Sequence, residues 1–217
     1  MSLKLYYHPI SPPSRAVIIL ADLMNIKLDK KLVRLDLKEH LKPEFAKINP
    51  NRSVPVLVDD GKVIKESRSI LTYLVNKFSP DNKLYPADPY KRSQIDSALF
   101  FEACHLYGPY EPIIVGLKLD KFLDNKYAIL TVNKNLNKLD ELLANQQFVA
   151  GDEFSIADVS YLLSITPLEV IGLFDLTKFK NIMAWKERIK PLIPNHEELV
   201  VNGTKLLSGF YDSLKKK

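Results

Sequence analysis

Residues 54–68, VPVLVDDGKVIKESR, contain two strand patterns joined by a tight turn and followed by a helix start. Residues 54–58 are a short apolar run with a proline at its entrance, where a strand tolerates the missing N–H. The Asp-Gly pair at 60–61 is a hairpin turn, so residues 62–65 predict an antiparallel partner strand. Residues 66–68 open a helix that we expect to end near residue 77. The stretch therefore predicts a ββα unit.

The residues before this unit predict a βαβ arrangement. Residues 3–7 alternate apolar and polar side chains as a strand does, and residues 31–35 alternate again. Between them, Ser11 and two prolines precede an apolar helix over residues 15–24, because Ser followed by Pro is a helix N-terminus signal. Residues 43–47 predict a short helix. We expect four short strands in one mixed sheet with helices on both faces.

The pattern changes after residue 79. The stretches SPDNK and PADP punctuate residues 79–89 and predict a linker at residues 80–88. Beyond it only helix patterns follow, at residues 90–118, 129–143, 159–174, 179–189 and 203–214. Within the second of these, an apolar stripe that includes Leu142 lies opposite polar residues that include Asn135. The sequence SIAD at 155–158 resembles a capping box with Asp in place of Glu. Residues 89–217 therefore predict an all-helical domain.

The composition is that of a globular protein. Of 217 residues 46% are hydrophobic and 26% charged, which excludes a disordered chain because such a chain lacks enough apolar surface to bury. Only 7 residues are glycine, which argues against the many turns of a β-sandwich or β-barrel. The single cysteine, Cys104, excludes an intramolecular disulfide, so we expect a reducing, cytoplasmic location.

The charge pattern and the apolar runs argue against several kinds of partner. The net charge is +5, but the basic residues are scattered apart from a tail of three lysines at 215–217. No aromatic and basic stacking motif accompanies that tail, so we expect no nucleic acid partner. The N-terminus lacks the apolar core of a signal peptide, and residues 159–174 are too few and too polar to span a bilayer. We therefore expect no membrane partner, and no His, Cys and carboxylate cluster predicts a metal site.

Ser11 is the first candidate functional residue, since it lies where the first strand ends and the first helix begins. A thioredoxin-like fold would carry a Cys-x-x-Cys motif at this place. Here the pair is Ser11 and Ser14, which excludes dithiol redox chemistry. A hydroxyl beside the N–H groups of a helix N-terminus can still donate to an anion, including a thiolate. The alternative is that Ser11 only caps the helix.

Val54 and Pro55 form the second candidate site. A residue before proline is extended. If the Val54–Pro55 bond is cis, the backbone of Val54 turns outward and offers its N–H and C=O to an extended peptide. The alternative is a plain strand start with a trans proline.

Glu66, Ser67 and Arg68 form the third candidate site, at a predicted helix start. The N–H groups and the Ser67 hydroxyl suit a carboxylate, and Glu66 suits an ammonium. Together they suit the head group of an α-amino acid. The alternative is a capped helix with a solvated Glu–Arg pair.

The three candidate sites, in this order and followed by an all-helical domain, resemble the cytosolic glutathione transferases, most closely the insect delta and epsilon classes. The resemblance covers nearly the whole chain. The motifs that carry it are SPPSR (11–15), EHLKPEF (39–45), NP (49–50), VPVL (54–57), ESR (66–68), LYP (84–86) and SIAD (155–158). It implies a thioredoxin-like glutathione-binding domain of residues 1–79, a linker of residues 80–88, and a helical domain of residues 89–217 that contributes an electrophile site.

The resemblance also implies how glutathione is bound. Val54 would pair with the cysteinyl backbone, with Pro55 in cis. Glu66 and Ser67 would hold the γ-glutamyl ammonium and carboxylate, and Arg68 would add positive charge nearby.

The sulfur and the glycyl end have their own candidates. Ser11, the catalytic candidate, would hydrogen-bond the sulfur and favour its thiolate. His40 would reach the glycyl end. Arg52 stands where these classes usually carry His, and it could pair with the glycyl carboxylate through a bidentate fork. Ser53, next to it, completes the predicted glutathione-binding set.

The electrophile would lie between the two domains. Its candidate walls are aromatic and aliphatic side chains on the long helix and near the C-terminus: Tyr107, Tyr110, Ile114, Leu207, Phe210 and Tyr211. The alternative is core packing, which aromatic residues at helical spacing usually indicate.

The function implied is conjugation of the thiolate of reduced glutathione, a co-substrate, to hydrophobic electrophiles in detoxification, with no permanently bound cofactor. The alternatives are glutathione-dependent peroxide reduction and a non-catalytic carrier of hydrophobic ligands. A purely structural module would not need all three candidate sites intact. A homodimer is expected, because the apolar surface of the long helix needs a cover.

Overall fold

The first part of the chain forms the predicted mixed sheet. The computed structural model describes residues 3–80, 83–109, 113 and 126–215. The elements up to residue 80 are β1 (Leu3–Tyr7), α1 (Pro12–Leu23), β2 (Asp29–Leu32), α2 (Pro43–Ile48), β3 (Val56–Asp59), β4 (Lys62–Lys65) and α3 (Ser67–Phe78). The strand order is β2-β1-β3-β4, with β1 parallel to β2 and β3 antiparallel to both of its neighbours. The thioredoxin-like fold class is confirmed.

Helices cover both faces of this sheet. Leu5 of β1 and Leu57 of β3 belong to the large core that α1 and α3 bury on one face. On the other face, Phe45 of α2 packs with Val33 and Val56 in a smaller cluster. The large core continues into the helical part of the chain, so the sheet and the helices behind it share one apolar interior.

The two edges of the sheet carry lysines. Every residue of the edge strand β2 is exposed, including Lys30 and Lys31. The other edge strand, β4, begins with Lys62 and ends with Lys65, both exposed. Charged side chains therefore occupy the outer strands on both sides.

Two strands begin or end at residues other than those predicted. β2 spans residues 29–32 rather than 31–35, because it pairs with β1 in the register Lys4↔Asp29 to Tyr7↔Leu32 and ends where β1 ends. β3 begins at Val56 rather than Val54, since Pro55 has no N–H to give to a ladder. The sequence pattern shows where a strand is favoured, and the partner decides how much of it pairs.

Beyond residue 88 the described elements are helical, apart from a single bridge between Phe148 and Gly151. They are α4 (Pro89–Glu102), α5 (Lys126–Leu143), α6 (Ile156–Ile171), α7 (Lys180–Ile189) and α8 (Gly203–Lys215), with π-helical segments at Ala103–Tyr107 and Glu197–Asn202. The all-helical prediction is confirmed. None of the helices within the described residues is long and apolar enough to cross a membrane. The linker boundaries, 80–88, stay a prediction.

α6 is the central helix of this part, and its predicted capping box is confirmed. Ser155 Oγ accepts from Ala157 N–H at 3.2 Å, and Asp158 accepts from Ser155 N–H at 2.9 Å. The Asp158 carboxylate also accepts from Val149 N–H at 3.0 Å and from Trp185 Nε1 at 2.9 Å. Burial raises the pKa of Asp158 against the effect of these donors.

On α5, two residues lie on the opposite face from the one predicted. Asn135, expected on the polar face, is buried, and its Nδ2 donates to the carbonyl of His105 at 3.0 Å. That carbonyl belongs to a π-helical segment, where the wider turn changes the backbone pairing. Leu142, expected in the apolar stripe, is 41% exposed. A polar side chain is buried here because it satisfies a backbone group of the neighbouring helix.

Candidate functional site

Ser11 is the N-cap residue of α1. Its Oγ accepts from Ser14 N–H at 3.3 Å, so the capping role is present. A hydroxyl also has one donor, and capping uses only an acceptor position. The first two helical residues, Pro12 and Pro13, have no N–H. The Ser11 hydroxyl rather than a row of backbone N–H groups is therefore the donor that this helix end offers to an anion.

The Val54–Pro55 bond is cis, as the resemblance implies. A buried amide braces the loop before it: Asn49 Nδ2 donates to Ser53 O at 2.9 Å and to Ser53 Oγ at 3.2 Å. Asn49 Oδ1 accepts from Asn51 N–H at 3.1 Å. Val54 is half-buried and lies just before the ladder of β3 begins.

Glu66 and Ser67 lie at the start of α3. Glu66 has a φ of 63°, in the left-handed region that costs energy for a residue with a side chain, and such strain concentrates at functional sites. Its side chain is exposed and makes no cap to its own helix. Ser67 is buried, and its Oγ accepts from Arg68 Nη1 at 3.3 Å. A carboxylate, a hydroxyl and the unpaired N–H groups of a first helical turn are thus adjacent.

A buried carboxylate that the sequence analysis missed holds Arg68. Arg68 Nε donates to Glu102 Oε2 at 2.8 Å, and Nη2 donates to Oε1. Glu102 is fully buried and also accepts from the hydroxyls of Ser160, at 2.9 Å, and Ser164. Burial alone lowers the pKa of Arg68, but the pair with Glu102 outweighs it and the net pKa is raised. The solvated Glu–Arg pair considered for this helix start is therefore wrong, and the cluster joins α3 to α4 and α6.

The residues predicted for the glycyl end lie on two loops. His40 is half-buried in a 3₁₀ turn, Glu39–Leu41. Arg52 and Ser53 are exposed and precede Val54 directly. Arg52 has a φ of 54°, and its N–H donates to Asn49 O at 2.9 Å. Their contacts with glutathione stay predictions.

Comparison with known proteins places the chain in a family. The models for the glutathione S-transferase N-terminal and C-terminal domains match residues 5–82 and 124–191. Glutathione S-transferase D7 of Drosophila melanogaster is 38% identical over 199 residues, which cover 91% of this chain and 88% of that protein. The chain belongs to the glutathione S-transferase family.

Solved structures of insect transferases confirm the predicted classes. The delta-class glutathione transferase of Nilaparvata lugens superposes with a TM-score of 0.89 at 33% identity, covering 98% of this chain and 99% of that chain. The epsilon-class enzyme of the housefly, Musca domestica, gives 0.87 at 34% identity, with 98% of each chain covered. This transferase resembles both classes about equally.

Tyr107 connects the predicted electrophile wall of this transferase to its predicted glutathione site. The Arg68 guanidinium lies over the Tyr107 ring, 4.8 Å from its centroid, which is the geometry of a cation–π contact. Arg68 in turn donates to Ser67. Tyr107 is half-buried and belongs to the π-helical segment that follows α4. It therefore lies beside the residues predicted to hold the γ-glutamyl group.

The other predicted wall residues differ in their surroundings. Tyr110 and Ile114 lie outside the described residues. Leu207 and Tyr211 are buried in the core, so packing accounts for their positions. Phe210 is 36% exposed, with its ring 5.9 Å from that of Tyr211. The contact of these residues with an electrophile stays a prediction.

Two residues that shape this site gave weak signals in the sequence. Glu102 is a lone carboxylate in the apolar run LFFEAC (99–104), where a buried ion pair is the simplest way to accommodate a charge. Asn49 precedes a proline in a loop, a pattern that many turns share. The isolated Glu102 in an apolar run is enough to predict a buried ion pair. The Asn-Pro pair at 49–50 does not distinguish an asparagine that stabilises a loop from one in an ordinary turn.

Proposed function

We propose that this glutathione transferase holds the glutathione thiolate with the Ser11 hydroxyl and adds it to hydrophobic electrophiles. The observation that supports this role is the geometry of α1, where Ser11 caps through an acceptor and its hydrogen remains for a ligand. The family assignment establishes the enzyme class. A glutathione transferase homolog from Drosophila mojavensis, with a TM-score of 0.85 at 28% identity, was solved with bound glutathione.

The remaining glutathione contacts follow from the neighbouring elements. Glu66 and Ser67 bind the γ-glutamyl head, Val54 pairs with the cysteinyl backbone, and His40 and Arg52 face the glycyl end. Reduced glutathione is a co-substrate in this proposal. We also place the enzyme in the cytoplasm, because a single cysteine suits a reducing compartment.

The conjugation of a generic aryl halide, followed by absorbance, tests the proposal directly. Turnover that saturates with glutathione supports it. No turnover, together with tight binding of hydrophobic dyes, contradicts it and favours a carrier. A parallel assay with an organic hydroperoxide measures the peroxidase alternative, which uses the same thiolate.

Ser11→Ala is expected to lower turnover about 10–100-fold and to move the pH–rate profile to higher pH. A free thiol titrates near pH ~8.5. Losing the donor removes stabilisation of the thiolate, and a shift of about 2 units in the pKa of the bound thiol corresponds to roughly 2.7 kcal/mol. Glutathione binding should change little. The measurement is the pH dependence of kcat for both proteins.

A matched variant separates donation from capping. Ser11→Ala also removes a helix cap, which costs about 1 kcal/mol of stability. Asp88 caps α4 by accepting from Lys91 N–H at 2.8 Å, so Asp88→Ala should lose similar stability while its pH profile stays that of the wild type. Superimposable profiles of Ser11→Ala and the wild type would show that another group activates the sulfur.

We propose a homodimer formed through the exposed face of α4. Tyr90 and Phe100, at the two ends of this helix, are 73% and 72% exposed, which leaves large aromatic side chains uncovered along it. A cavity of about 690 Å³ lies between α4 and α5 and is lined by Tyr90, Phe101 and Leu142 among others. A two-fold interface would bury the same patch on both copies.

Sedimentation at micromolar concentration should show a species with twice the mass of one chain. Phe100→Glu should convert it to a monomer, because the interface would have to bury a charge. Leu192→Glu, at an exposed leucine on a 3₁₀ turn after α7, is the control and should leave the dimer intact. A wild-type monomer at this concentration would refute the interface.

A further inference from the structure

A buried arginine joins the helix that carries Ser11 to the C-terminal helix. Arg15 lies one turn after Ser11 on α1, and its N–H donates to Ser11 O at 3.1 Å. Its side chain is 1% exposed. Its Nη1 donates to the carbonyls of Leu199, at 2.8 Å, and Val200, at 3.3 Å.

The two carbonyls belong to the π-helical segment Glu197–Asn202, which runs directly into α8. Buried backbone carbonyls need donors, and a guanidinium is charged at every pH at which a protein folds. Two bonds from one nitrogen to consecutive carbonyls fix the position of the π-helical segment along α1 and its orientation relative to α1. The contact therefore determines where α8 starts relative to α1.

Gly203, the first residue of α8, makes room for this contact. A Cβ at Gly203 would lie 2.6 Å from Cδ and 2.8 Å from Cζ of Arg15, and closer still to Nη1. Arg15 is enclosed, so it could yield only by moving its guanidinium away from the two carbonyls. Gly209, on the same helix, has no atom within 4 Å of an added Cβ.

The buried face of α8 starts at this glycine. Gly203, Leu207 and Tyr211 are spaced four residues apart and so share one face of the helix. Leu207 and Tyr211 are buried, and Phe210 beside them is partly exposed. A shift of the helix start would displace all of these side chains together, because a helix moves as a unit.

We propose that Arg15 and Gly203 form a joint that sets the position of α8 relative to Ser11, and that this position determines which electrophiles fit. Arg15 is thus a positioning residue for the electrophile. The inference rests on the proposed function, since it needs an electrophile held between the two domains. Glu66 and Val54, which are proposed to bind glutathione, lie on other elements and would be unaffected.

The test compares Gly203→Ala with Gly209→Ala. We expect the KM for a small aryl halide to rise about tenfold in Gly203→Ala, because a displaced α8 holds the electrophile less well and small misplacements carry effects of this order. The ratio of kcat/KM between a bulky and a small electrophile should change as well, while the KM for glutathione stays within about twofold. Gly209→Ala should match the wild type in all three quantities.

A purely structural role would give a different result. It would lower the melting temperature and the folded fraction, but leave both KM values and the selectivity ratio unchanged, and that outcome overturns the proposal. Should Gly203→Ala not fold, Arg15→Lys serves instead, because it keeps the charge and replaces the forked guanidinium by a single nitrogen. It should raise the KM for the electrophile alone, and an unchanged value overturns the proposal.

A readout without turnover separates this inference from the proposed function. A wild-type protein that conjugates nothing would contradict the function, not the joint. Hydrogen exchange of the amides of residues 203–211 then tests the joint alone. Exchange should be faster in Gly203→Ala than in Gly209→Ala, and equal exchange in both variants overturns the proposal.

Discussion

Glu102→Gln is expected to lower the free energy of unfolding by about 3–5 kcal/mol, the usual cost of leaving a buried charge without its partner. The Arg68 guanidinium would then face an amide that offers one acceptor and two donors in place of two anionic oxygens. Ser160 and Ser164 donate to different oxygens of Glu102, so the hydroxyl that meets the new NH2 group would lose its acceptor as well. Because the cluster joins α3 to α4 and α6, both the sheet-containing part and the helical part of the chain should lose stability.

Urea unfolding followed by circular dichroism measures this effect, with an exposed pair as the control. Lys91 and Glu153 lie 3.2 Å apart with more than half of each side chain exposed. Glu153→Gln should therefore cost less than about 1 kcal/mol. Equal effects of the two substitutions would show that the buried pair does not stabilise the fold.

A double variant separates the stability of the cluster from its role in the site. Replacing both partners, in Arg68→Met with Glu102→Met, should recover much of the lost stability, because an apolar pair avoids the desolvation of two charges. The double variant should still bind glutathione more weakly than the wild type, since Ser67 Oγ loses the Arg68 donor that orients it. Recovered stability together with wild-type glutathione affinity would mean that the cluster is only structural.

Glu66→Gln is expected to weaken glutathione binding about 10–150-fold, the range for losing roughly 1.5–3 kcal/mol from a contact between charged groups. The substitution keeps the size of the side chain and removes only its charge, so the left-handed backbone at this position is unchanged. Titration calorimetry with glutathione measures the affinity. Ser67→Ala should weaken it less, since a hydroxyl contributes about 1 kcal/mol.

The neighbouring Ser69 provides the control for the proposed γ-glutamyl site. It lies in the first turn of α3, two residues after Ser67, and is exposed. Ser69→Ala should bind glutathione as the wild type does. Unchanged affinity in both Glu66→Gln and Ser67→Ala would refute the assignment of the γ-glutamyl head to this helix start.

The elements predicted best are those specified by neighbouring residues. β4, with its Asp-Gly turn, and the capping box of α6 depend on a few adjacent side chains, and the structure has them at the predicted residues. The bounds of β2 differ because they depend on pairing with β1. Local chemistry shows which element forms, and long-range contacts decide where it stops.

The candidate site divides in the same way. Ser11, Val54-Pro55 and Glu66 stand out because each has an unusual local pattern. Glu102 and Arg15 do not, because their partners are 34 and 184 or more residues away along the chain. A buried charge in a helix is visible in the sequence, but the partner that neutralises or accepts it becomes visible only in the folded chain.

The lysines on the outer strands of the sheet bear on how copies of this enzyme behave at high concentration. An unpaired strand edge is a template on which a second sheet can grow. Two copies that met along β2 would bring Lys30 and Lys31 of each against like charges, and copies that met along β4 would do the same with Lys62 and Lys65. The open sheet is thereby protected against the growth of fibrils from its own edges.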